Sequence, residues 1–356
     1  MPPEACAQPV ATSAPARKRR ADPSGRRAAP RRVYDSIVDA VGDTPLVRLQ
    51  RVVADYPGEV FAKIEFMNPM GSIKDRVARH LVRVAAADGR LRPGETVVEA
   101  SSGNTALGLG MMAALEGYRC KVAVRDRTSP EKLRALRALG VEAVLVDSEL
   151  PPEHPESYNQ VMQRIVAETP GCYFPDQHNN RENNEAHYLS TGPEIWEQME
   201  GRIDYLVAGL GTGGTISGVA RYLKEQDPSI RVVGVDVEGS VFTRYFRSGE
   251  VGPSAPYLLE GLGDEFPIEC VEFDLIDDMV QVSDREAFLH ARELARREAI
   301  FAGGSSGAAL WGVRQVLSRL GGEPARIVTI FPDHGSRYLS TIYSDEWMRR
   351  HGFLDA

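Results

Sequence analysis

A chain of 356 residues is long enough for two α/β domains or one large α/β unit. It is 42% hydrophobic and 26% charged, ordinary for a soluble globular protein, and a net charge of −8 argues against a nucleic-acid binder, whose affinity rests on basic surface. Cys6, Cys120, Cys172 and Cys270 are too dispersed for a zinc site or a disulfide framework, and no apolar run reaches membrane length, so a cytoplasmic protein without a structural metal is expected.

Residues 1–34 are rich in Ala, Pro and Arg, with Arg17-Lys18-Arg19-Arg20 and Arg26-Arg27, and read as a disordered basic tail. The tail has no apolar core of a secretory signal; an organelle transit peptide is the alternative reading. Val33 to Val41 is apolar at helical spacing, and Leu46 to Leu49 reads as a short strand. Val60 to Phe66 is a strand leading into Asn68-Pro69-Met70-Gly71-Ser72-Ile73-Lys74-Asp75-Arg76, and a helix starts near Val77. Strands at Glu95–Ala100, Lys121–Val124 and Glu142–Val146 alternate with helices, the mark of a parallel sheet built from β-α-β units. Helices are expected at Tyr158–Ala167 and Asn184–Glu200. A strand at Ile203–Leu210 then turns through Gly211-Thr212-Gly213-Gly214-Thr215 into another helix, followed by a strand at Arg231–Val237. Gly239 to Pro267 is glycine- and proline-rich and poorly periodic. Ser283–Glu298 is helical, Gly303-Gly304-Ser305-Ser306-Gly307 opens a helix, Ile327–Phe331 is a last strand and Tyr338–Trp347 a last helix.

The Lys74 stretch and four further loops carry chemistry. Lys74 sits near a helix N-terminus, where unpaired N–H groups make a positive field that favours a neutral amine, and a neutral amine forms a Schiff base with an aldehyde. A solvated lysine at a helix start is the plain alternative. The glycine turn at Gly211 suits a phosphate, because small residues let backbone N–H groups approach an anion at a helix start. Gly209-x-Gly211-x-x-Gly214 also fits a dinucleotide fingerprint, with Asp236 at the distance for a ribose. Ser101-Ser102-Gly103-Asn104-Thr105 suits a carboxylate or an N-cap, and the Ser305 loop reads equally as a cap. Asp176-Gln177-His178-Asn179-Asn180 is a polar loop in which His178 reads first as a surface residue.

Together and in this order, the Lys74 stretch, the Asn104 loop, the Gly211 turn and the Ser305 loop resemble fold-type II pyridoxal-phosphate enzymes, specifically the cysteine synthase and cystathionine β-synthase group. The resemblance covers the chain beyond about residue 35. It implies two open-sheet α/β domains of the tryptophan synthase β-like architecture, a larger one from 35–75 and 186–356 and a smaller mobile one from 76–185, in a homodimer. It implies pyridoxal 5'-phosphate bound covalently to Lys74, with Asn104 on the ring oxygen, Gly211, Thr212, Gly213, Gly214 and Thr215 on the phosphate, and Ser305 facing the ring nitrogen. Ser101, Ser102, Gly103, Thr105 and Gln177 would bind the substrate carboxylate. A serine hydroxyl at Ser305 leaves the ring a weaker electron sink than a charged partner would, which favours loss of a β-substituent. Lys74 would then be the general base at Cα.

Tyr257-Leu258-Leu259-Glu260-Gly261-Leu262-Gly263 and the ending Ser344-Asp345-Glu346-Trp347-Met348 resemble cystathionine β-synthases, which makes Glu260 a substrate-pocket residue and condensation of serine with homocysteine the expected activity. Gly335-Ser336-Arg337-Tyr338-Leu339-Ser340-Thr341 looks like cysteine synthases. His178 stands where a tyrosine is usual, Asp126-Arg127 where Glu-Lys is usual, Asn184 for a proline and Ala106 for a glycine. These departures leave open a cysteine synthase acting on O-acetylserine or O-phosphoserine, or a diaminopropionate-precursor synthase in which Arg127 meets a phosphate. A partner-binding degraded homologue is the non-enzyme alternative, against which the intact Lys74 counts. With the first histidine at His80, an N-terminal haem site is not expected, and the end at Ala356 gives the expectation that a C-terminal regulatory pair is lacking.

Overall fold

The computed structural model describes residues 33–355 apart from 102, 127, 148–149 and 151–153. The basic tail over residues 1–32, Ser102 and Arg127 therefore lie outside the described residues.

Runs of β-branched residues form the strands β1 (Leu46–Arg48), β2 (Glu59–Ile64), β3 (Thr96–Ala100), β4 (Arg119–Arg125), β5 (Glu142–Val146), β6 (Tyr205–Gly209), β7 (Arg231–Val237), β8 (Asp278–Val282) and β9 (Arg326–Phe331). Six of them make one sheet in the order β1-β2-β9-β6-β7-β8, and β3-β4-β5 make another. Every pairing is parallel except β1 with β2, which puts the antiparallel strand at an edge.

The helices are α1 (Lys74–Ala87), α2 (Asn104–Glu116), α3 (Pro130–Ala138), α4 (Tyr158–Glu168), α5 (Glu182–Tyr188), α6 (Thr191–Gln198), α7 (Gly214–Gln226), α8 (Phe242–Ser248), α9 (Asp284–Glu293), α10 (Gly304–Leu320) and α11 (Asp345–Arg350). They cover both faces of the sheets, so the strands read as continuous apolar runs. Alternation decides the side: Val207 packs with Ala308, Leu310 and Val313 of α10, whereas Leu206 and Ala208 pack with Ile216, Val219 and Leu223 of α7. In the smaller sheet Val97 and Val122 face α1 and α2, while Val98 and Ala123 face α4. No helix among the described residues is long and apolar enough to cross a membrane.

Several sequence expectations need correction. The expected helix Asn184–Glu200 is two helices, because Pro193 has no N–H to give the carbonyl of Leu189, and Ser190 leaves the helical region at φ −132°. The expected helix Tyr338–Trp347 is a 3-10 turn at Gly335–Tyr338 followed by α11, whose start is set by Ser344 Oγ accepting from Trp347 N. Only Ile37–Ala40 of the first apolar stretch is helical, as one 3-10 turn capped by Ser36. The poorly periodic segment after Gly239 contains α8, anchored by buried Phe242. Helix α9 opens with a Ser283–Glu286 capping box and runs on as a π-helical turn, Leu294–Glu298.

The topology gathers the loops. The Lys74 stretch, the Ser101 loop and the Gly211 turn follow β2, β3 and β6, at the carboxyl ends where open α/β sheets bind ligands. Ile73 N donates to Pro332 O at 2.8 Å and His334 N to Gly71 O at 3.2 Å, stitching the Lys74 stretch to the segment after β9. Gly303 N donates to Asp333 O at 3.0 Å, which brings the Ser305 loop to the same place.

Candidate active site

Lys74 is the first residue of α1. Its Nζ donates to Thr212 Oγ1 at 3.4 Å, bringing the amine to the glycine turn. Burial pushes its ammonium down to about 8, with nearby Cys270 and Asp333 opposing the shift. Desolvation is the largest cause of the shift, and it acts in the direction expected of the helix start. The base of α1 is fixed by Arg76, which is 1% exposed. Its guanidinium grips Glu65 at 2.7 and 2.9 Å and Glu194 at 2.6 and 2.7 Å. Lys63 Nζ, also buried, completes the group at 2.7 Å from Glu194 Oε2.

At the glycine turn, Gly213 holds φ +83°, and a Cβ there would lie 2.6 Å from Val271 Cγ2 and 2.7 Å from Val271 N. A Cβ on Gly211 would run into the carbonyl of Gly261. The first turn of α7 has no side-chain cap, so its N–H groups face the turn. Asn183 Nδ2 donates to Thr212 Oγ1 at 3.0 Å and to Gln177 O at 2.8 Å. Thr215 Oγ1 lies 3.2 Å from Nε2 of buried His187, whose Nδ1 lies 2.9 Å from Thr191 Oγ1. The dinucleotide alternative loses its acid here. Asp236 is fully buried and its carboxylate accepts from Val237 N, Thr243 N and Thr243 Oγ1 at 2.8–2.9 Å, so it secures the start of α8.

In the Ser101 loop the N-cap position of α2 is Gly103, and Ser101 Oγ accepts from Gly103 N and Ala106 N, both at 3.3 Å. Asn104 is not a cap. Its Nδ2 donates to Asp333 Oδ2 at 2.8 Å and its Oδ1 accepts from Arg337 Nη1. Thr105 Oγ1 donates to Gln177 Oε1 at 2.5 Å, joining two residues expected at one carboxylate. Ser305 is buried in the first turn of α10 and makes no capping bond, so the cap reading fails there too. Next to it, Ser306 Oγ is buried with no partner among the described residues. His178 is 40% exposed and pairs with Asp264 at 3.2 Å, in keeping with a surface residue.

Glu260 meets a residue that the sequence did not single out. Its Oε2 is 2.5 Å from Lys132 Nζ, which is buried and lies 4.6 Å over the Tyr338 ring. The Lys132 stem packs 2.9 Å from where Gly103 would carry a Cβ. The signal was present: Lys132 is third in α3, where the helix field disfavours a cation unless an anion faces it. Asp333, also missed, is 1% exposed and takes Tyr338 OH at 2.6 Å on Oδ2, while its Oδ1 has no partner among the described residues. Its place just beyond the central strand β9 was the signal.

These features fit pyridoxal phosphate. An amine with a lowered pKa adjoins a helix N-terminus whose backbone tolerates no side chain; Asp333, near that amine, leaves Oδ1 without a partner among the described residues, and so does Asn183 Oδ1, which packs against Gly214 at the start of α7.

Comparison with known proteins bears on this geometry. A family described as "Pyridoxal-phosphate dependent enzyme" matches residues 37–333. The chain is 41% identical over 326 residues to a cystathionine beta-synthase of Apis mellifera, covering 91% of this chain and 64% of that protein. It is 39% identical to the same enzyme of Oryctolagus cuniculus, covering 91% and 59%. The chain thus spans about three fifths of the length of these relatives. It is 40% identical to an N-(2-amino-2-carboxyethyl)-L-glutamate synthase of Ralstonia nicotianae, covering 89% of this chain and 92% of that protein. A crystal structure of a hydrogen sulfide-producing enzyme from Fusobacterium nucleatum superposes with a TM-score of 0.80 at 30% identity, covering 86% of this chain and all of that one.

Proposed function

The chain belongs to the pyridoxal-phosphate dependent enzymes, and on that footing we propose that it replaces the β-substituent of L-serine, or of an activated serine, with the sulfur of homocysteine. With serine the products are cystathionine and water. One observation carries the reaction class: the amine of Lys74, its ammonium pushed to about 8, reaches Thr212 at the glycine turn. The choice of substrates rests on likeness to the cystathionine β-synthases and on Glu260.

When bound, the cofactor supplies an aldehyde for the substrate amine and a conjugated ring that accepts the electron pair released at Cα. The chain's residues do the rest. Gly211 to Thr215 hold the phosphate, Asn104 the ring oxygen, and Ser305 offers the ring nitrogen a neutral hydroxyl. Ser101, Ser102, Gly103, Thr105 and Gln177 seat the donor's carboxylate. At pH 7 about a tenth of Lys74 is neutral, enough to take the proton from Cα once released from the cofactor. The same Nζ then gives that proton to the departing β-oxygen, which matters most for serine because hydroxide leaves poorly. Glu260 and Lys132 face the incoming amino acid.

A second reading is favoured by the Ralstonia relative, which matches this chain over nearly its own full length. There the nucleophile is the amine of an amino acid such as glutamate, and the donor an activated serine. We also take the protein to be a cytoplasmic homodimer, with residues 76–185 moving against the body formed by 35–75 and 186–356. The test is to pair serine, O-acetylserine and O-phosphoserine each with homocysteine, sulfide and glutamate, and identify products by mass. Cystathionine from serine is the expected result. Turnover of O-acetylserine or O-phosphoserine with none of serine would move the protein to a synthase of the second kind.

A further inference from the structure

Arg337 lies in the 3-10 turn after β9 and is buried. Among the described residues its guanidinium donates to two neutral oxygens: Nη1 to Asn104 Oδ1 and Nη2 to Met70 O. The first belongs to the start of α2 and the second to the Lys74 stretch, so one side chain spans both loops. The carbonyl of Arg337 accepts from Ser129 Oγ at 3.1 Å, which ties the same residue to the start of α3.

These bonds settle which way the Asn104 amide faces. A guanidinium donates and cannot accept, so the atom that meets it is the amide oxygen. On the other side Nδ2 donates to Asp333 Oδ2 at 2.8 Å, an oxygen that also takes Tyr338 OH at 2.6 Å. Asp333 is itself buried. A flipped amide would set its oxygen against the carboxylate and its N–H groups against the guanidinium, and both bonds would be lost. Nδ2 carries a pair of hydrogens. Asp333 uses one, and the other has no partner among the described residues. Asn104 is only half-buried, so that hydrogen is open to a ligand.

We propose that Arg337 is a positioning residue for the cofactor's ring oxygen: by donating to Asn104 Oδ1 while Asp333 takes one Nδ2 hydrogen, it holds the amide with its second Nδ2 hydrogen toward that oxygen. The proposal rests on the assignment of Asn104 to the ring oxygen. The effect is chemical as well as geometric. A donor fixed on the ring oxygen favours its anionic form and leaves the shared proton on the nitrogen that links the cofactor to Lys74.

The full chain, stripped of cofactor, would be titrated with pyridoxal 5'-phosphate and with 3-deoxypyridoxal 5'-phosphate, which lacks the ring oxygen. For Arg337→Met the affinity for pyridoxal 5'-phosphate should fall about fivefold, the worth of a net hydrogen bond, while that for the deoxy analogue stays unchanged. The loaded variant should also lose visible absorption to a near-ultraviolet band, as the ring oxygen regains its proton. Arg337→Lys, which can still donate to Oδ1, should retain most of the preference for the ring oxygen. Equal loss for both ligands means that Arg337 only holds the loops together, and it overturns the proposal, as does no loss. Asn104→Ala separates the proposal from the assignment beneath it. That variant should lose the preference, and adding Arg337→Met to it should change the preference no further. If Asn104→Ala keeps the preference, the ring-oxygen assignment is wrong and the proposal falls with it. If Asn104→Ala loses it while Arg337→Met keeps it, the proposal alone is refuted. Should Arg337→Met not fold, a crystal structure of the wild-type holoenzyme decides. Asn104 Nδ2 on the ring oxygen with Oδ1 still on Arg337 is expected, and an amide released from Arg337 refutes the role.

Discussion

Replacing Lys74 with methionine should make the cofactor-free chain more stable while abolishing its activity. The side chain keeps its length and loses its charge. The lysine's pKa falls from 10.5 to about 8 on folding, so the folded state binds its proton less tightly than the unfolded state does. Below the folded value the ammonium is carried into the protein, and the tenfold loss of proton affinity at each step of one in pKa costs about 1.4 kcal/mol, or roughly 3 kcal/mol in all at pH 7. As pH rises from 8 toward 10.5 the unfolded state holds more protons, so the wild type gains stability with pH in that window. At pH 9.5 the residual cost is roughly 1.4 kcal/mol. Urea unfolding of the cofactor-free proteins at about pH 7 and about pH 9.5 measures this. Lys74→Met should exceed the wild type by about 3 kcal/mol at the lower pH and by about half that at the higher. A variant no more stable than wild type, or an advantage independent of pH, would show that Lys74 is not a buried charge and would remove the physical basis for its neutral amine.

Gly213→Asp should abolish cofactor retention on gel filtration, because the left-handed backbone, the contact with Val271 and a negative charge all oppose it; retention of colour would refute the cradle. Arg76→Met leaves the carboxylates of Glu65 and Glu194 without their main partner and should cost about 3–5 kcal/mol in urea unfolding. Part of that loss should return in Arg76→Met combined with Glu65→Gln, and no recovery would mean that packing, not charge, was lost. Lys132→Met should raise the KM for the second amino acid about tenfold or more while leaving release of the donor's β-substituent near wild type. An equal effect on both half-reactions would show that Lys132 serves only to hold α3 in place.

Backbone chemistry made the centre of this site readable. Lys74 follows a strand and opens a helix, and the Gly211 turn lies between a strand and a helix, so local sequence marks both as ligand loops. Composition could not reveal what surrounds them. The low pKa of Lys74 comes chiefly from burial, a tertiary property that local sequence does not display. His187 and Asp333 are set by contacts far apart in sequence, and neither carries a short motif of its own. Conversely, Asp236 stands at the spacing of a ribose ligand, yet its carboxylate is spent on Thr243 and Val237. Helix ends were misjudged where a single residue governs them, as at Pro193 and Ser344, because apolar periodicity continues across the break.

The position of β9 has a consequence for synthesis. This strand lies between β2 and β6 at the middle of the large sheet, with Glu59 opposite Arg326, yet among the described strands it is the last to be synthesised. Until it arrives, β2 and β6 each present an open edge, and such an edge is a template for wrong pairing. At typical translation rates that exposure lasts on the order of tens of seconds. Asp333 and the stitch from Pro332 to Ile73 follow β9 directly, so the nascent chain cannot seat its cofactor during that interval. Capture of the cofactor must therefore follow the emergence of β9, and co-expressed chaperones should raise the yield of holoenzyme more than added vitamin does.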